Sequence, residues 1–539
     1  MGSIPVSPTM SYHSALDNGV QIKNRQDQVL NNAGGYVFSV DELDMLKRFL
    51  VLGTFDTYYV TKDTLTKEHI ENIYRMLNTK EKAIEALEIV KEFSYNGRVI
   101  KNEPSIVVLA ACFSHQDIEV KRKAAEVFKY VIRTGYHLFQ FMEYLKRFRK
   151  FGRLIKRTIS DWYLSKTPKE LSYQVVKYQA RITNEGDPSS RWSHKDIIKI
   201  VHPKAESHEI NSIFRYVLYG TMDESLKDTY IYAYENVKKA ENIDDIVHLI
   251  QKYNLTWEFV PSNHLWSRDV WKALLPNLPY TALLRNLARL TSLNILDDEL
   301  LHLVSLKLTD GEYIRKSRVS PFALLLAWLV YKNGKGIKSD SIWHPIPQIV
   351  DSLEIAFEKS FENTERELDN KKILIAIDVS GSMCGRLSEA PISIIEAAAL
   401  LAWVLLRLER NADIEVIGVS TRISHPSINS DSKMGYVMEE IMRYAGGGTD
   451  LSLPFRHALN VKKYYDAIVV LTDNETWHGP HPYQLLDYYK NSINKNVKTI
   501  LVDMVPNSYT IVPLDKNNLN IVGFDSSMFD IIRKFIALE

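Results

Sequence analysis

Between residues 40 and 362 apolar side chains recur every three or four positions, with short breaks at Gly, Pro and Asn. Ala124, Val127, Phe128, Val131 and Ile132 form one such stripe along a helix. The same spacing predicts helices over 81–93, 105–113, 138–150, 152–164, 169–181, 226–239, 280–290 and 320–331. No strict repeat is present. Many short amphipathic helices in series, with no strand signal between them, predict stacked helix pairs, an α-solenoid, with an irregular helical domain as the plainer alternative. Residues 363–371 are charged and polar and read as a linker, and beyond them the period changes. Apolar β-type runs at 373–377, 414–419, 467–472 and 497–502 alternate with helical stretches, notably 389–410. Strands alternating with helices predict a parallel sheet covered on both faces, a doubly wound α/β domain. The expected organisation is an N-terminal arm over 1–35, a helical domain over 36–363 and an α/β domain over 364–539.

Candidate chemistry sits where the α/β strands end. Asp378, Ser380 and Ser382 follow the run 373–377, Thr449 lies in a Gly-rich stretch, and Asp473 directly follows the run 467–472. Open α/β sheets gather such loops at the carboxyl ends of their strands. Two carboxylates with three hydroxyls make a hard-oxygen donor set for a divalent cation. Mg²⁺ suits it, because it keeps waters and takes few carboxylates. Charge left over on the dication would leave a position for a partner's acidic group or phosphate. The bland alternative is that Asp378 and Asp473 cap helices while Ser380 and Ser382 form a tight turn. A hydrolase built on Asp378 lacks a nucleophile–base–orienter set: His478 and His481 follow Trp477 in an expected surface loop, and Cys384 reads as a packing residue. No catalytic residue is therefore assigned.

Composition narrows the class. The chain of 539 residues is 45% hydrophobic and 25% charged with a net charge of +1, so whole-chain charge selects no partner. Two cysteines, Cys112 and Cys384, make no disulfide framework and fit a reducing, cytoplasmic setting. The polar N-terminal stretch with Asp17, Lys23, Arg25 and Asp27 lacks the apolar centre of a signal peptide, and no run is long enough to span a bilayer. A soluble protein without a membrane partner is expected.

Charge is local instead. Between residues 121 and 157 twelve basic residues face only two acids, Glu126 and Glu143. They include Lys121, Arg122, Lys129, Lys150, Arg153, Lys156 and Arg157, the last three on one face of the helix predicted over 152–164. On the helix predicted over 169–181, Lys177 and Arg181 are four apart and so share a face. Trp192, His194 and His202 follow. Such a stripe can neutralise phosphates while aromatics among the cations stack on bases. A solvated charged face is the alternative meaning.

Several segments together resemble one family. MLKRFLVLG at 45–53, TYYV at 57–60, GRLIKRTISDWY at 152–163, VKYQAR at 176–181, WSHKD at 192–196, VWKALL at 270–275 and TALLRNL at 281–287 look like signature segments of the TROVE domain. AGGGTD at 445–450, TDNET at 472–476 and GFD at 523–525 match the α/β part, and the D-x-S-x-S spacing from Asp378 resembles the metal-ion-dependent adhesion site of von Willebrand factor A-type domains. The resemblance, across nearly the whole chain, is to the Ro autoantigen family of RNA-binding proteins. It implies a monomeric ring of HEAT-like helical repeats closed by the A-type domain. It further implies small noncoding Y RNA on a basic outer surface, and misfolded RNA with its single-stranded 3′ end in a central hole. Lys177, Arg181 and His202 fall where the family contacts Y RNA, and bacterial relatives tie an exoribonuclease, polynucleotide phosphorylase, to the protein through that RNA. One departure stands out: the stretch between Arg181 and Trp192, which reads as a surface loop, is longer than the family's. The expected function is RNA quality control or processing without catalysis. The competing reading is a metal-dependent protein-interaction scaffold whose basic helices bind an acidic protein partner.

Overall fold

The structure, a computed structural model, describes residues 21–52, 73–99, 101–148, 151–178, 181–182, 191–336, 341–361, 368–387, 391–525 and 527–537. The chain divides into two compact units, one formed by 1–66 with 361–539 and the other by 67–360.

Unit 67–360 is largely helical, and many of its helices are started by a side-chain cap. Thr79 accepts a hydrogen bond from the Lys82 N–H ahead of helix Lys80–Asn96, and Asp117 from Glu119 ahead of Ile118–Val131. Thr167 and Glu170 form a reciprocal capping box on Pro168–Lys177. Helices pack in staggered pairs, Lys80–Asn96 on Ile118–Val131 and Glu103–Ser114 on Gly135–Phe148. Phe113, Phe128 and Phe141 meet edge to face between them, with ring centres 5.0 to 6.2 Å apart. The series returns on itself: the Arg318 guanidinium lies 4.2 Å from the Tyr95 ring centre, and Gly97 abuts Arg318.

Two helix predictions need correction. The helix expected over 169–181 ends at Lys177, and Arg181 lies in a two-residue strand, β3 (Arg181–Ile182), paired antiparallel with β4 (Arg191–Trp192). Tyr178 leaves helical geometry at φ −108°, ψ 76° while its N–H still donates to Gln174. The helix expected over 226–239 is broken because Thr229 caps a new start, Tyr230–Lys239, leaving Glu224–Leu226 as a separate short turn.

The other unit carries a six-stranded sheet. β5 (Lys372–Asp378), β6 (Asp413–Val419), β8 (Ala467–Thr472), β9 (Lys498–Asp503) and β11 (Asn518–Val522) are parallel, and β7 (Ile423–Ser424) turns back on β6. Their order across the sheet is β11-β9-β8-β5-β6-β7. Helix Ile394–Leu408, almost wholly buried, is among those covering it. The fold is the doubly wound α/β class expected.

Around the expected boundary at 36 the structure groups the residues differently. Residues 1–20 lie outside the described residues. Residues 21–52 join the α/β unit instead of the helical one. The hairpin β1 (Gln28–Leu30) and β2 (Tyr36–Ser39) adds β10 (Tyr509–Thr510) to make a three-stranded sheet. Helix Glu42–Leu52 follows, and its Arg48 is buried against Asp503 at 2.7 Å. Most of the linker expected over 363–371 lies outside the described residues, but Leu368 is fully buried.

Candidate functional site

β6 departs to one side of β5 and β8 to the other, so the carboxyl ends of β5 and β8 flank the switch point of the sheet. Asp378 ends β5 and Asp473 follows β8, and both are 0% exposed. Asp378 Oδ1 accepts the Ser380 N–H at 2.9 Å, and Oδ2 accepts the Thr472 hydroxyl at 2.8 Å. The Ser380 and Ser382 hydroxyl oxygens are 3.1 Å apart. The Thr449 loop is stitched to this turn by Gly446 N–H donating to Val379 at 2.8 Å and Gly381 N–H donating to Gly447 at 3.1 Å. Gly446 at φ 118° and Gly447 at φ 89° hold conformations that side chains resist. The N–H groups of Trp477 and His478 then hold the Thr449 carbonyl at 3.2 and 3.1 Å. The three loops that carry the five expected donors are thus tied to one another.

The electrostatics of this pocket ask for a positive charge. Burial raises the pKa of both carboxylates, Asp473 raises that of Asp378 further, and the Ser382 hydroxyl opposes the effect on Asp473. Asp473 Oδ2 is buried and has no hydrogen-bond partner. Neither carboxylate caps a helix: Asp378 and Asp473 each accept the N–H two residues on, and the neighbouring N-cap positions are Ser380 and His481. The oxygen donors can hold a hard dication, and the orphaned Asp473 oxygen fits that role. His481 is not in a surface loop as expected. It is buried, its ring bonded to the Ile22 carbonyl and to Gln28.

Sequence reasoning missed the support beneath this site. Asn507 donates to the Asp473 carbonyl, and Arg48 donates to Asn507 and pairs with Asp503, which also accepts from Asn474 at 2.6 Å. From the hairpin, Asn31 donates to the Thr476 carbonyl at 2.7 Å, and the Asn32 side-chain amide and the Ala33 backbone N–H donate to the Glu475 carboxylate at 3.0 and 3.1 Å. A signal existed. Arg48 stands among Leu46, Phe49, Leu50, Val51 and Leu52, a helix buried on that side, where a cation requires a partner.

The expected basic surface is partly assembled. Helix Ile118–Val131 contacts helix Arg153–Leu164, and Lys121 and Arg153 line one shallow cleft with Phe113, Ile118 and Gly152. Arg122, Lys129, Arg153 and Arg157 are exposed and Lys156 is half-buried. Among the described residues their one carboxylate partner is Asp161, 4.0 Å from Arg157. Lys177 is held otherwise, donating to the Tyr173 hydroxyl at 2.9 Å and pairing with Glu258 at 3.3 Å. His194 is not on a surface: at 3% exposure it packs on Phe139 and Tyr163, 2.8 Å from the Tyr163 hydroxyl, and burial lowers its pKa to about 4. His202 is exposed and caps its helix at φ 52°. Lys150 and the stretch 183–190 lie outside the described residues, and Arg181 is placed by its backbone alone.

Comparison with known proteins agrees with both units. The TROVE domain model matches residues 29–333 and the Ro60 vWA domain model matches 372–536. The chain is 31% identical to the RNA-binding protein RO60 of Deinococcus radiodurans, covering 95% of this chain and 96% of that one. It is 29% identical to the RNA-binding protein RO60 of Caenorhabditis elegans, covering 96% of this chain and 91% of that one. The crystal structure of the Deinococcus radiodurans Ro (Rsr) protein superposes with a TM-score of 0.67 at 27% identity, over 92% of this chain and 99% of that chain. These relatives are named as RNA-binding proteins and not as enzymes. With a TROVE domain and a Ro60-type A domain in one chain, the protein belongs to the Ro60 family.

Proposed function

We propose that this protein binds RNA electrostatically through its helical unit, taking small noncoding Y RNA on the basic surface and the single-stranded 3′ ends of misfolded RNA in the hole of a helical ring. The observation that carries the reading is the set Lys121, Arg122, Arg153 and Arg157, spread over two packed helices with scarcely a carboxylate to neutralise them. Phosphates would supply the missing negative charge and release counterions. Selection by shape and free ends suits RNA, whose A-form major groove excludes side chains. Lys177 and Arg181 contribute where the family contacts Y RNA, with Lys177 released from Glu258 on binding. The reaction, if any, belongs to a partner: an exoribonuclease such as polynucleotide phosphorylase, tied in through the RNA, in the cytoplasm. No helix among the described residues is long and apolar enough to cross a membrane.

The A-type domain holds Mg²⁺ through Asp378, Ser380, Ser382, Thr449 and Asp473. The ion balances the two buried carboxylates and leaves a position for an acidic ligand. Purified protein tests the reading: absorbance at 260 nm that disappears on RNase treatment is expected. Replacing Arg153, Lys156 and Arg157 together with Gln should weaken RNA binding without lowering Tm. Unchanged RNA affinity in that triple variant rules out this surface as the site.

A further inference from the structure

Away from the stripe at 152–163, the place where the helical series meets itself gathers cations around two tyrosines. Tyr95 and Tyr130 stand edge to face at 5.5 Å. Lys91 and Lys129 lie 5.0 and 5.2 Å from the Tyr130 ring centre, and Arg318 lies 4.2 Å from that of Tyr95. Arg133 comes in beneath. Its Nη1 donates to the Ser94 carbonyl at 3.0 Å, the Ser94 hydroxyl at 2.8 Å and the Tyr130 carbonyl at 2.6 Å. Lys91 pairs with Glu88 at 3.5 Å, whereas Lys129, Arg133 and Arg318 have no carboxylate partner among the described residues.

We infer that this seam is a second RNA site, which takes an unpaired segment by stacking a base against Tyr95 and Arg318 and placing its phosphates on Lys129, Arg133 and Arg318. The inference rests on the RNA-binding reading and extends it through Lys129, which the basic stripe already contains, to Tyr95, Arg133 and Arg318. Three observations support it. Tyr95 is 43% exposed and Arg318, over its ring, is exposed as well, so a base can reach the pair. Arg318 is the left-handed C-cap that ends helix Gly311–Ser317, φ 53°, so its backbone position is fixed by that helix. Gly97, at φ 75°, lets the two ends approach, since a Cβ there would meet the Arg318 Cβ at 2.9 Å. Like charges are also forced together: burial first and Arg318 second lower the pKa of Arg133 to about 10. A seam made only to close the series would gain by placing a carboxylate here. An RNA phosphate meets the same need, and aromatics flanked by cations are the usual platform for single strands.

The test uses the full chain and a short labelled oligouridine, with Kd measured over a range of salt. Arg318→Asn, which tolerates the left-handed backbone, combined with Lys129→Gln, should weaken binding about tenfold and lower the salt slope by about 1.4, at about 0.7 for each phosphate no longer neutralised. Tyr95→Leu should weaken binding about tenfold with the slope unchanged, while Tyr95→Phe retains it. Photocrosslinking with thiouridine should mark the peptide that contains Tyr95. Unchanged affinity and slope in both the double variant and Tyr95→Leu, in a parent that binds the oligomer, overturn the seam site and leave the general reading standing. A parent that binds no RNA overturns that general reading. Because Tyr95 is exposed, its variant decides the question even where Arg318→Asn fails to fold.

Discussion

Asp473 carries a buried carboxylate oxygen with no donor, beside a second buried carboxylate. Such a pair costs stability until a cation balances it. Millimolar Mg²⁺ should therefore raise the Tm of the parent, the gain growing as RT ln(1 + [Mg²⁺]/Kd), about 2.7 kcal/mol at a hundredfold excess over Kd. Asp473→Asn should abolish that rise in calorimetry, and an equal rise in the variant would refute the metal site. His194 offers a separate test. Burial lowers its pKa to about 4 in the folded chain, and burial also lowers that of His137, to about 3. Both groups are neutral when folded but take up a proton when unfolded below the usual value near 6.5. Their contribution is thus complete above about pH 6.5 and is lost as pH falls toward 4, by on the order of a few kcal/mol. Urea unfolding at pH 7 and pH 5 should show this fall, and it should be shallower in His194→Gln. The motif around His194 suggested a ligand, yet the apolar period already spoke against it. His194, Ile197, Ile198 and Val201 are the buried face of one helix. Asp378 and Asp473, by contrast, were legible because each ends an apolar run.

Long buried strands and amphipathic helices announce themselves, because each repeats one residue type at one period. β5, β6 and β8 fall within a residue of the expected runs, and most helices within a turn. β1, β2 and β10 were not legible, being two to four residues long, with β10 joined to the β1–β2 hairpin from more than 450 residues away in sequence. The same non-local pairing makes the N-terminal segment part of the α/β unit. Arg48→Met should leave Asp503 charged and unpaired in the interior, destabilising that unit by about 3–5 kcal/mol in chemical unfolding. Gly35→Ala should be comparably harmful, because its Cβ would overlap the Thr476 carbonyl oxygen. Wild-type stability in both variants would show that the N-terminal segment is a passive tail. The early end of the helix at Lys177 was illegible for a related reason. Nothing in VKYQAR breaks a helix, and the β3–β4 pair takes over Arg181.

At the scale of the whole chain, the α/β unit contributes residues from both ends, and the helical unit is an insertion between them. A truncated chain beginning at residue 364 would lack the strands and the Arg48 anchor that support Asp473, so it should bind Mg²⁺ more weakly than the full chain. A net charge of +1 conceals a strongly basic stretch, which is why composition alone selected no partner. The measurement that bears most directly on the account is RNA affinity against salt for the full chain and for its Arg153→Gln, Lys156→Gln, Arg157→Gln variant. Electrostatic binding through this surface predicts a steep linear fall of log K with log salt for the parent, and a slope smaller in the variant by about 0.9 for each duplex phosphate it no longer neutralises. Identical slopes and affinities in the two proteins, or no binding by either at low salt, would contradict it.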